Sequence, residues 1–237
     1  MTVTGIDGCR SGWIAVTLSG SGVLAGSGVP RGGVRARTAA TLDGLGIEGI
    51  TGIDMPLGLL AEGWRAADAA ARALLGRRGA AVFAIPPRPV WAAPDYASAN
   101  RRCRELTGRG MSAQAWGLRK KLLEADRFRP SHADLLHEVH PELSFAALAG
   151  APLAQTKHSA AGLARRRALL AAAGIVLPSR VAGAGEDDLL DAAAVAWSAR
   201  RIAAGTACVL PDPGQAAGSA APPVQRGDDG FEIAIRY

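Results

Sequence analysis

Apolar and polar positions alternate through the first thirty residues. Val3 to Asp7 is a short apolar run, Gly8 to Gly12 supplies a turn, and Trp13 to Leu18 resumes with Ile14, Val16 and Leu18 on one face. That period-2 pattern predicts two strands joined as a hairpin. Gly and Ser at 19–22 allow a third strand near Gly22 to Val29, Val34 to Leu45 carries helix-forming residues, and Ile50 to Asp54 is another short buried strand. A right-handed crossover makes this last strand parallel to the first.

From Pro56 to about Asp134 the texture turns helical. Trp64 to Leu75 closes at Gly76, Pro94 to Leu106 closes at Gly108, and Ser112 to Asp126 follows the loop Gly108-Arg109-Gly110. Leu135 to Val139 returns to strand character. Helices are expected near Glu142 to Leu148, from Ser159 to Ala173, and from about Asp187 to Ala203. Phe231, Ile233, Ile235 and Tyr237 alternate with Glu232, Ala234 and Arg236, the pattern of a terminal edge strand. The pattern reads as one α/β domain over residues 1–237, with a helical insertion at about 56–134 and a loop and edge strand at about 211–237.

Composition narrows the class. The chain has 237 residues, 49% of them hydrophobic and 20% charged, enough apolar surface for a sizeable core and unlike a disordered sequence. No uncharged apolar stretch is long enough to span a membrane, and the start Met-Thr-Val-Thr-Gly-Ile-Asp has no basic leader region. Cys9, Cys103 and Cys208 are widely spaced and odd in number, so neither a disulfide framework nor a zinc knuckle is expected. A cytoplasmic setting is expected on this reading. Lys+Arg total 27 against 21 Asp+Glu, a net charge of +6 carried almost wholly by arginine. Guanidinium matches phosphate bidentately, which permits phosphate-bearing partners such as nucleic acid, although the arginines read equally as solvated helix faces.

A short duplication carries the chemistry. Thr4-Gly5-Ile6-Asp7 reappears as Thr51-Gly52-Ile53-Asp54, each time a strand that ends in a carboxylate and enters a turn. Parallel neighbours would place both acids at the carboxyl side of one sheet, where open α/β sheets bind ligands. Asp is costly there without a partner. The last helix adds Asp188 and Asp191, three apart on one face, where like charges repel unless a cation intervenes. Its small residues Ala192, Ala193, Ala194, Ala196 and Ala199 would let it lie close to the sheet. Converging carboxylates form a hard oxygen site suited to Mg²⁺ or Mn²⁺, and without metal they would raise one another's pKa. A further acid is offered by Leu136-His137-Glu138-Val139-His140-Pro141-Glu142. Glu138 at the strand end is preferred as a ligand, Glu142 reads equally as a first-turn helix acid, and His140 as a water-orienting or structural histidine.

Asp7 in Gly5-Ile6-Asp7-Gly8, Asp54 in Gly52-Ile53-Asp54-Met55-Pro56-Leu57-Gly58, Glu138-Val139-His140-Pro141-Glu142 and Asp187-Asp188-Leu189-Leu190-Asp191-Ala192 together resemble the family called domain of unknown function 429, predicted nucleases of the ribonuclease-H-like superfamily. The likeness runs from about residue 3 to 204. It implies a mixed five-stranded sheet flanked by helices. The Asp-x-x-Asp-Ala helix start is similar to that of the Holliday junction resolvases, which implies Asp7, Asp54, Asp188 and Asp191 as metal carboxylates, with Glu138 or Glu142 an accessory acid.

The expected function is metal-dependent phosphodiester hydrolysis of DNA or RNA, with Asp7, Asp54, Glu138, Asp188 and Asp191 as catalytic acids around two Mg²⁺ or Mn²⁺ ions. A binding protein that keeps the acidic pocket without cutting is the alternative. Substrate contacts are expected from Lys157, Arg119, His140 and Glu142, and arginine clusters at Arg77-Arg78, Arg101-Arg102 with Arg104, Arg119-Lys120-Lys121 and Arg165-Arg166-Arg167 flank the proposed site. Trp64, Trp91 and Trp116 read as core aromatics or base-stacking platforms. The oligomeric state is left open, with a homodimer among the options. No GxxxxGK[ST] loop, GxSxG elbow or HExxH pair is present, and the chain is too short for the two lobes of an actin-like kinase.

Overall fold

A computed structural model describes residues 1–20, 33–212 and 224–237. Its strands are β1 (Thr2–Cys9), β2 (Gly12–Ser19), β3 (Gly33–Ala39), β4 (Thr51–Ile53), β5 (Leu136–Glu138), β6 (Val209–Leu210) and β7 (Ile235–Arg236). The α-helices are α1 (Ala66–Leu75), α2 (Arg88–Trp91), α3 (Tyr96–Thr107), α4 (Ala113–Gly117), α5 (Arg119–Phe128), α6 (Pro141–Ala149), α7 (Ala160–Ala172) and α8 (Glu186–Ala203). Two compact units result: Met1–Met55 with Asp134–Ala207 and Arg236–Tyr237, and Pro56–Ala133 with Cys208–Ile235. Among the described residues no helix is long and apolar enough to cross a membrane.

The first unit is built on a five-stranded sheet of order β3-β2-β1-β4-β5. β2 runs antiparallel to both of its neighbours, while β1, β4 and β5 are parallel. This is the mixed five-stranded sheet that the family resemblance implies. The duplicated tetrapeptides lie side by side in matched register, Thr4 opposite Thr51, Gly5 opposite Gly52 and Ile6 opposite Ile53. The ladder continues one step further, since Asp54 N–H donates to the Ile6 carbonyl at 2.8 Å.

α8 covers the face of the sheet that carries both glycines. A Cβ on Gly5 would lie 2.1 Å from Ala196 N and 2.2 Å from Ala192 O, and one on Gly52 would lie 2.7 Å from Val195 Cγ1. The helix backbone therefore rests directly on β1, in a core of Val3, Ile14, Val16, Leu189 and Leu190 with fully buried Ala192, Ala193, Ala194 and Ala196. Side chains two apart on a strand share a face, so Gly5 and Asp7 point the same way, as do Gly52 and Asp54. The closeness that glycine permits is what brings the start of α8 beside the two strand-end acids. Gly5→Ala is thus expected to destabilise the protein by about 1–3 kcal/mol or more, because overpacking meets main chain that cannot rotate away. A urea titration of the variant checks this.

The third strand differs from the expectation. The segment near Gly22–Val29 lies outside the described residues, and the strand that pairs with β2 is Gly33–Ala39, where a helix was expected. The reason is visible in Val34-Arg35-Ala36-Arg37-Thr38, in which half-buried and exposed positions alternate with period 2. Helical propensity of Ala and Arg yields there to pairing with β2, and only Asp43–Leu45 forms a helical turn. The expected helix Ser112–Asp126 divides into α4 and α5 at Leu118. The terminal strand contracts to β7, which pairs with β6 and forms one bridge from Arg236 to Val139.

The second unit is helical. α3 is capped at its start by Asp95, which accepts from Ser98 N–H at 2.8 Å, and ends at Gly108 with φ 76°. Trp91 is buried and acts as a core aromatic, and the half-buried Trp116 stacks on it with centroids 6.2 Å apart. Arg88 forks between Asp126, at 2.8 and 2.9 Å, and Asp228. Arg129 joins Asp229 at 3.2 Å. These ion pairs fasten the C-terminal segment to the helices of the same unit.

Candidate metal centre

Asp7, Asp54 and Asp191 converge at the carboxyl end of the parallel strands. One carboxylate oxygen from each lies within 4.8 Å of the others. Asp7 and Asp191 are buried and Asp54 is half-buried. Asp7 follows Gly5 on β1, Asp54 follows Gly52 on β4, and Asp191 directly precedes the Ala192 whose carbonyl meets Gly5. Asp7 Oδ1 also accepts from Gly8 N–H at 2.6 Å, which fixes its rotamer through its own turn.

Electrostatics mark the cluster as unstable in its fully ionised form. Burial, then Asp54 and Asp191, push the Asp7 carboxyl well above its ordinary range. Burial raises Asp54 to about 7, with Glu138 and Glu142 adding to the shift and Lys157 opposing it. Asp191 rises to about 6 for the same first reason, again moderated by Lys157. Lys157 Nζ donates to Asp191 Oδ2 at 2.6 Å. Burial works against the ammonium charge, but Asp191, Asp7 and Asp54 hold its pKa above the ordinary lysine value. One lysine thus faces three carboxylates, and the site has room electrostatically for further positive charge.

The sign of the pH effect follows. Carboxyls whose folded pKa is raised stabilise the fold below the unfolded value near 3.8 and lose that contribution as pH climbs through about 6 to 7. Lys157 stays charged across this window. The metal-free protein is expected to be less stable at pH 8 than at pH 5, and a divalent ion should reverse the trend, since binding displaces protons. Urea midpoints at both pH values, with chelator and with Mn²⁺, measure this.

The remaining candidate residues occupy other positions. Asp188 accepts from Gly185 N–H at 2.9 Å and so caps α8, while its charge adds to the rise of Asp7. Glu138 is in register with Ile53, which puts it on the opposite face of the strand end from Asp54; it is buried and acts on Asp54 through space. His140 caps α6, its Nδ1 accepting from Glu142 N–H at 3.3 Å. Arg119, in the helical unit, donates from Nε to the Trp91 carbonyl at 2.8 Å and lies over the Trp116 ring.

Glu142 and Arg166 were read from sequence as a candidate substrate contact and as part of a surface cluster. The structure buries both. Arg166 is fully buried, donates from Nη2 to Glu142 Oε1 at 2.6 Å, and from Nη1 to the Gln155 and Gly162 carbonyls at 3.1 and 3.3 Å. It therefore anchors the loop that presents Lys157 two residues after Gln155. A signal for this existed: Leu163, Arg166, Leu169 and Leu170 share the apolar face of α7, where a charged residue needs a buried partner.

Three acidic oxygens in a hard, sulfur-free and histidine-free set fit Mg²⁺ or Mn²⁺ better than Zn²⁺. Among solved structures, the chain is similar to one described as the Thermus thermophilus RuvC structure, at 17% identity and a TM-score of 0.33, over 87% of this chain and 98% of that one. Comparison with curated protein sequences found no match. The model of the family described as "Protein of unknown function (DUF429)" matches residues 5–216, and the chain belongs to that family.

Proposed function

We propose that the protein is a divalent-metal-dependent nuclease that hydrolyses phosphodiester bonds of nucleic acid. The observation that carries this reading is the convergence of Asp7, Asp54 and Asp191 within 4.8 Å, buried and only partly compensated by Lys157. Such a cluster costs stability unless a cation occupies it, and residues held at such a cost belong to function. The three aspartates would hold Mg²⁺ or Mn²⁺, and a second ion would draw on Asp188. Bound there, the metal supplies Lewis acidity that activates water and offsets charge on the departing oxygen.

The chain's own residues do the positioning. Asp7 is oriented by Gly8 N–H, Asp54 by the ladder to Ile6, and Asp191 by the packing of α8 on Gly5. Lys157 offsets the cluster's charge through its bond to Asp191 and, with a cation held by the three aspartates, would be a donor for a phosphate oxygen. Nucleic acid as the polymer is supported by the net charge of +6 and by exposed Arg101, Arg102 and Arg104 on α3. Single-stranded, duplex, hybrid and branched substrates incubated with Mn²⁺, with chelator, and with the Asp54→Asn variant test the reading. Cleavage that requires both Mn²⁺ and Asp54 supports it. Equal inertness of wild type and variant on all four substrates, with metal bound, overturns it.

A further inference from the structure

The helical unit contains a cavity of its own. A cavity of about 710 Å³, within the size range of small-molecule pockets, is walled by Trp64 and Phe83 and ringed by Arg65, Arg72, Arg109 and Gln114. Three of its lining residues are arginines, and the acid among them, Asp68, is already engaged. Asp68 accepts from Ile85 N–H at 2.9 Å and pairs with the buried Arg65 at 3.5 Å. The cavity is therefore cationic.

Its aromatic wall is built for a flat partner. The Arg109 guanidinium lies over the Trp64 ring, 4.3 Å from the centroid. Arg109 is exposed, yet its backbone is held firmly. Its carbonyl accepts from Cys103 Sγ at 3.2 Å and Thr107 Oγ1 at 2.9 Å, and Met111 N–H donates to Asn100 Oδ1 at 3.1 Å. Arg72, also in the lining, donates from Nη1 to the Val82 carbonyl at 2.5 Å, which orients that guanidinium while leaving it further donors. Aromatic faces with guanidinium planes stack nucleobases, and guanidinium forks bind phosphate.

We propose that this cavity binds a nucleotide, its base against the Arg109–Trp64 pair and its phosphate on Arg72. The site lies wholly within the helical unit and needs no metal, so it stands apart from the acidic cluster. The nucleotide is either free or one unit of a strand.

Calorimetric titration in chelator with adenosine monophosphate, adenosine, inorganic phosphate and a six-residue oligodeoxyadenylate tests the proposal. Saturable binding of the monophosphate or the oligonucleotide is expected, at least about tenfold tighter than adenosine or phosphate alone. Arg109→Ala should weaken it by at least about tenfold, with Arg109→Lys between the two and the melting curves of both variants unchanged. An oligonucleotide preference of more than about tenfold assigns the site to a strand, and equal affinities assign it to a free nucleotide. Absence of saturable binding to either, phosphate binding as tight as the monophosphate, or binding unaltered in Arg109→Ala overturns the proposal. Because no metal is present, none of these outcomes bears on cleavage at the acidic cluster.

Discussion

Asp54→Asn is expected to make the metal-free protein more resistant to heat at pH 8 while lowering metal-dependent cleavage by at least about a hundredfold. The stability gain follows from removing a carboxylate that burial and the neighbouring acids Glu138 and Glu142 hold near a pKa of about 7. Asparagine has the same shape and no charge. Each kcal/mol recovered should raise the melting temperature of a chain this size by about 2–4 °C. The catalytic loss would follow from removing a carboxylate proposed here as a metal ligand, when changing even the partners that orient ligands typically costs about 10–100-fold. The gain should vanish at pH 5, where Asp54 is protonated in the wild type. Paired melting curves at the two pH values check this. A variant equally or less stable than wild type at pH 8 would show that the cluster is not under electrostatic strain.

Arg166→Met should produce the largest loss of stability, about 3–5 kcal/mol, because it leaves the buried Glu142 carboxylate without its cation. The Gln155 carbonyl loses its side-chain donor in the same change, so the loop bearing Lys157 is released as well. Adding Glu142→Gln should restore part of the loss, since an uncompensated buried charge is what costs most. Equilibrium unfolding of the two single variants and the double variant gives the coupling directly. Coupling below about 0.5 kcal/mol would place the pair outside the structural role described here.

Much of this arrangement is legible in the residues. The repeated Thr-Gly-Ile-Asp predicts two parallel strands with acids at matched ends, and the structure puts them in register. The alanines after Asp191 predict close packing of the last helix, and Gly5 shows how close. The anticipated rise in carboxylate pKa is present in Asp7, Asp54 and Asp191. What the pattern left hidden depends on tertiary partners. Val34 to Ala39 has helix-forming residues, but its fate is decided by the free edge of β2. Arg166 looks like its neighbours Arg165 and Arg167, and only the face of α7 on which it falls separates a buried anchor from surface charge. Asp188 and Asp191 share a helix face, yet position N3 draws Asp188 to the Gly185 amide. Lys157 is expected as a substrate contact, but its place beside Asp191 comes from the loop that Arg166 holds.

On the function proposed here, Asp7, Asp54 and Asp191 together hold a divalent cation, which Mn²⁺ binding followed by electron paramagnetic resonance measures. The wild type at pH 8 should titrate to saturation, with Asp54→Asn and Asp191→Asn each weakening binding by more than about tenfold and acidification to pH 5 doing the same. Equal Mn²⁺ affinity in the wild type and both variants would contradict the account.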